Sequence, residues 1–222
     1  CNKTGNYNGA IECVDTLLTK IDISNELEIA MIKSRKLNAM LKIGNCGELV
    51  NITDTEILPV LEKYIDMKSH KVISRKMLFK TWLKTYLALA NALILQGSNR
   101  AFEVISILFE LFSRNKITDT KLINKTKLAL ALANTSRGDI ISSQDILTEI
   151  IQTPEDFDNE IISKWNLVNI FNKFISGEYE NLNQDLFQVV MFANNIEDNF
   201  TKNILKTMLG KYLKENEKAK QA

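Results

Sequence analysis

The sequence predicts an all-α protein, a helical solenoid of antiparallel helix pairs. Three observations carry that expectation. Helix breakers are scarce and positioned: the 222 residues hold 2 prolines and 8 glycines. Six of the glycines fall in five short turns, Thr4-Gly5-Asn6-Tyr7, Ile43-Gly44-Asn45-Cys46-Gly47, Gln96-Gly97-Ser98-Asn99, Arg137-Gly138-Asp139 and Ser176-Gly177-Glu178-Tyr179. The turns recur at intervals of about 40 to 50 residues, the range of helical-repeat units that bury a face by stacking on a neighbour. Between them apolar residues follow the helical spacing i, i+3, i+4, i+7, and no segment alternates as a strand would. Chains of this architecture work by presenting a surface, so the expected class is an interaction protein and not an enzyme.

The elements follow in order. Residues 7–20 form a helix with Ala10, Val14, Leu17 and Leu18 on one face. Residues 27–43 form a second, with Leu27, Ala30, Met31, Leu37, Met40 and Leu41 as its apolar set. A third is expected to start at Thr53, where Thr53-Asp54-Thr55-Glu56 reads as a capping box, and to run to about Lys68 with Pro59 a local misfit. The fourth covers residues 72–95 and carries Leu78, Trp82, Tyr86, Leu89, Ala90 and Leu93. The fifth, residues 100–113, is apolar nearly all round and should be the most buried. The sixth and seventh cover residues 119–135 and 140–152. Thr153-Pro154-Glu155-Asp156 opens the eighth, with Thr153 as N-cap and Pro154 at the first helical position; Ile161, Trp165, Val168 and Phe171 follow. Two more helices are expected over residues 180–193 and 199–214. Long polar linkers are absent, so residues 1–222 read as a single domain.

Bulk properties exclude several classes. A net charge of +1 at pH 7 sets up no global field for nucleic acid, so none is expected as a partner. No apolar run approaches the 18 or so residues of a membrane span; the longest, residues 86–95, contains Asn91. The 3 cysteines, Cys1, Cys13 and Cys46, form no C-x-x-C, which suits reduced thiols in the cytoplasm or nucleus, with Cys13 a core thiol. The chain opens at Cys1 without Met, and four residues precede Gly5. The first helix pair is therefore expected to lack its upstream helix, leaving Ile11, Val14 and Leu18 uncovered on one side.

No constellation of catalytic or metal-ligating residues stands out, so no cofactor or metal is expected. The one histidine, His70, lies in a loop and cannot make a two-histidine site. No glycine-rich segment ends in Lys-Ser/Thr as a phosphate loop does. The carboxylates Glu155, Asp156, Asp158 and Glu160 are explained by a helix start. Lys76, Lys80 and Lys84 fall at i, i+4 and i+8 and so form one stripe; it is either a solvated outer face or a contact surface. Trp82 and Trp165 sit among apolar neighbours, as core residues or as anchors for a partner.

The segment Gly5-Asn6-Tyr7-Asn8-Gly9-Ala10-Ile11-Glu12 through Leu17-Leu18 resembles the second half of a tetratricopeptide repeat. Tyr86, Leu89, Ala90, Leu93 and Gly97 resemble its first helix followed by the turn, and Gly177-Glu178-Tyr179 repeats the turn motif. Small residues precede the turns at Ala39, Ala90 and Ala131, while Ser143 stands where the family has alanine. The resemblance implies a right-handed superhelix whose first helices line a concave groove. It implies a scaffold or adaptor that binds a peptide or helix of a protein partner, or alternatively a peptide-sensing module with its ligand in the groove. Lys76, Lys80, Lys84, Asn91, Lys127 and Asn134 lie on first helices and are the candidate protein-binding residues.

Overall fold

The computed structural model describes residues 6–22, 24–66, 74–151, 158–178 and Gln184. Among these residues the fold is all-α, with no strand. In chain order the helices are α1 (Tyr7–Leu18), α2 (Glu26–Ile43), α3 (Cys46–Ile52), a π-helical turn (Thr53–Ile57), α4 (Leu58–Asp66), α5 (Arg75–Leu95), α6 (Arg100–Arg114), α7 (Thr120–Ser136), α8 (Ile140–Ile151) and α9 (Asn159–Ser176). The expected turn at Gly5, His70, the Thr153-Pro154 start and the helices over 180–193 and 199–214 lie outside the described residues.

Short polar side chains start the helices. Asn6, Asn25, Ser74, Asp119, Asp139 and Asp158 each accept a hydrogen bond from the backbone N–H three residues on, which satisfies a donor that the first turn leaves open. The glycines stop them. Gly44, Gly97, Gly138 and Gly177 lie in the left-handed region, with φ of 84°, 67°, 83° and 80°. The following residue then donates its N–H to the carbonyl five back: Asn45 to Met40, Ser98 to Leu93, Asp139 to Asn134 and Glu178 to Lys173, all at 2.9–3.0 Å. One hydrogen-bonded cap thus recurs at every described turn of the set, and glycine adopts its φ without the strain of a Cβ.

Chain contacts divide the molecule into two compact units, residues up to Asn115 and residues from Lys116. In the first, α5 packs against α2, α3, α4 and α6, and Leu89, Ala90 and Ala92 are fully buried there. In the second, α7 packs on both α8 and α9. Ala39, Ala90 and Ala131, each preceding a glycine cap, are all 0% exposed. Their missing bulk lets helices approach closely.

Several expectations are corrected. Thr53 starts no helix: α3, the π turn and α4 succeed one another without interruption from Cys46 to Asp66. Thr53 is buried within this stretch, and Glu56 pairs with Lys33 of α2 instead of reaching back. Burial of Leu49, Ile52, Ile57, Leu58 and Leu61 outweighs the local capping preference. The helix over 100–113 is not buried all round. Ala101, Val104, Ile105, Leu108 and Phe112 face the core, whereas Phe109 is half-buried against Phe112 and Ile107 is exposed. Helix α5 holds more of the core. At the N-terminus α1 packs on α2, which buries Val14 against expectation but leaves Ile11 and Leu18 partly exposed. Cys13 is exposed and Cys46 is the buried thiol; burial pushes the Cys46 thiol above its ordinary pKa. Helix α9 is capped by Asp158.

Candidate functional site

A cavity of about 390 Å³ opens in the first unit between the π turn, α4, α5 and α6. Leu58, Leu89 and Val104 are buried and form its apolar floor, while Pro59, Arg100, Glu103 and Ile107 are exposed around it. Asp54, Glu62 and Tyr86 complete the lining.

The local sequence explains the shape. Proline lacks the N–H that an α-helix interior requires. Directly ahead of Pro59 the helix widens, and the Leu58 N–H bonds to the Thr53 carbonyl five residues back. A single π turn of this kind inserts a residue without ending the helix. It keeps Ile57, Leu58 and Leu61 on the core side while bringing Asp54 and Glu62 to the cavity.

The polar lining is held by internal bonds. Arg100 grips Asp54 bidentately, Nη1 to Oδ2 at 2.5 Å and Nη2 to Oδ1 at 2.6 Å. The Tyr86 phenol, itself buried, donates to Glu62 Oε1 at 2.5 Å. Burial first, and then the Glu62 carboxylate, hold the Tyr86 phenol far above its ordinary pKa. The Arg100 guanidinium is raised above its own value, chiefly by the bond to Asp54. These bonds fix the Asp54 and Glu62 carboxylates in place beside the apolar lining.

The candidate binding residues are distributed unevenly. Lys76, Lys80 and Lys84 are all exposed on α5, and Met77 is 48% exposed beside them. Asn91, about two helical turns beyond Lys84, is 5% exposed and donates its amide to the Leu87 carbonyl at 2.8 Å. Lys127 Nζ reaches Glu149 Oε1 at 2.6 Å, joining α7 to α8. Asn134 is half-buried, and its carbonyl accepts from Asp139 in the glycine cap. Both tryptophans pack inside their units. Trp82 meets the Phe79 and Tyr86 rings at 5.7 and 5.6 Å, and half-buried Trp165 donates to the Leu147 carbonyl at 3.1 Å.

Sequence reasoning missed Asp54, Glu62, Arg100 and Glu103 as a group. The signal was Pro59 inside an otherwise continuous apolar stripe, next to the polar run Thr53-Asp54-Thr55-Glu56. Among the described residues no group of side chains has the makings of a metal site, and no helix is long and apolar enough to cross a membrane. Comparison with protein-family models, with curated proteins and with solved structures finds no match to this chain.

Proposed function

We propose that the chain is a non-catalytic scaffold or adaptor, built of tetratricopeptide-like helical hairpins, that binds a peptide or helix of a protein partner within a larger assembly. The observation that supports this reading is the outer face of α5. Three lysines there follow one another every four residues, about 6 Å apart along the axis at 1.5 Å per residue, with the adaptable side chain of Met77 beside them. Such a row of point charges suits an acidic segment, and the apolar neighbour adds contact area. Asn91 contributes less, because its side chain is buried.

A photo-crosslinking residue at Met77 should trap discrete protein adducts from a lysate, and the recombinant partner so identified should bind saturably. The Lys80→Glu/Lys84→Glu variant should weaken that binding and flatten its salt dependence at an unchanged melting temperature. Wild-type affinity of the variant at low salt would move the surface elsewhere, and the absence of any saturable protein binding would overturn the adaptor reading.

The π turn beside the cavity favours a second reading, a peptide-sensing module, since such turns recur at functional sites. Partner binding should then change amide hydrogen exchange across residues 53–57.

A further inference from the structure

We propose that the cavity of the first unit is a second docking site, distinct from the lysine face, and that it takes a basic side chain of a protein segment. The argument is charge complementarity over an apolar floor. Asp54, Glu62 and Glu103 face one cation, Arg100. That cation is already committed, because its two terminal nitrogens hold the two oxygens of Asp54. Glu62 receives a hydrogen bond from a phenol that stays neutral, so its own charge is not cancelled. Glu103 stands exposed at the edge. The lining therefore carries an excess of negative charge on Glu62 and Glu103.

The floor between these charges is hydrocarbon: Leu58, Leu89 and Val104. Long basic side chains match this combination, since they lay an aliphatic stem along apolar surface and keep the charged end at a polar rim. A volume of about 390 Å³ falls in the range of small-ligand sites and accommodates one such side chain. Ile107, 37% exposed at the mouth, offers an apolar contact to the flanking residues of the segment. The bond from Tyr86 holds Glu62 in place before any ligand arrives, so less side-chain freedom is lost on binding. The lysine face and the cavity thus have opposite charge preferences on one unit, which suits a protein that joins two segments of different character. This inference goes beyond the adaptor reading of the lysine face and is tested separately from it.

The full chain is titrated with a fluorescein-labelled amphipathic peptide of leucine and arginine, with its twin carrying glutamate for arginine, and with spermidine as competitor; binding is followed by anisotropy. The arginine peptide should bind saturably and about tenfold or more tighter than its twin, the scale of charged hydrogen bonds. The Glu62→Gln/Glu103→Gln variant keeps the acceptor for Tyr86 and should lose about tenfold of that affinity with an unchanged thermal melt. Lys80→Glu/Lys84→Glu should bind the arginine peptide at least as well as the wild type. Equal affinity for both twins, wild-type affinity of the glutamine variant, or displacement by spermidine as tight as peptide binding would each overturn the proposal. If the glutamine variant binds the arginine peptide like the wild type while the lysine reversals abolish partner binding, the adaptor reading stands and the cavity site falls.

Discussion

Ser143 shows how much a single position decides. It is fully buried between helices. It closes a ring of hydrogen bonds that joins α7, α8 and α9. Thr135 donates to Asn172 Oδ1 at 2.6 Å, Asn172 Nδ2 donates to Ser143 Oγ at 3.0 Å, and Ser143 lies 2.9 Å from Thr135 Oγ1. Thr135 Oγ1 also lies 2.9 Å from the Ala131 carbonyl, so its one proton has two acceptors within reach. Replacing Ser143 by alanine, Ser143→Ala, should therefore destabilise the fold by about 1–3 kcal/mol, because it strands the Asn172 amide in the core. Urea melts of the two proteins check this; a loss below about 0.5 kcal/mol would mean that the ring contributes little. Tyr86 is the second instructive residue. Its folded pKa is raised above the ordinary value of 10.0. The unfolded chain therefore loses this proton first, and the stability held by the neutral phenol is complete below pH 10 and falls as pH rises above it. Tyr86→Phe removes the titration and should show a shallower loss of stability above pH 10, measured by melts at a series of alkaline pH values.

Two helices went against their local signals, and in both the apolar surface of neighbouring elements decided the outcome. At Thr53 a good capping sequence lies inside a helical stretch whose Leu49, Ile52, Ile57, Leu58 and Leu61 are all buried against neighbouring helices. The π turn absorbs Pro59. In α6 the apolar residues surround the helix in sequence, yet packing partners cover only one side. Leu108 is 0% exposed and Phe109 only half-buried. Leu108→Ala should thus cost about 2–5 kcal/mol, and Phe109→Ala distinctly less despite the larger truncation. Comparing the midpoints of chemical denaturation of the two variants tests the assignment of the core face. The reverse order would place Phe109 inside.

At the scale of the whole molecule, each unit has its own apolar interior: α1 to α6 enclose one, centred on α5, and α7 packs with α8 and α9 around another. Residues 1–115 expressed alone should then be helical and melt in a single cooperative transition. Circular dichroism with thermal denaturation checks this. A fragment without a transition would show that its interior depends on the rest of the chain, as a single domain over 1–222 requires. The glycine caps were legible because they are local: each uses one residue with positive φ and carbonyls within five positions. The cavity was not, because it joins Asp54 and Glu62 to Arg100 and Glu103 across about 40 residues of chain.

What the sequence determined by itself was therefore the all-α character, the four described glycine caps, and the close-packed alanines before three of them. These rest on backbone conformation and on side-chain size, which are properties of a residue and its near neighbours. Tertiary structure alone decided which side of α6 is core, where the helix over 46–66 begins, that Asn91 turns inward, and that Arg100 spends its charge on Asp54. Each of these is settled by burial against, or charge pairing with, an element distant in sequence. The period of a helix shows which residues share a face, but only the packed partner determines which face meets water.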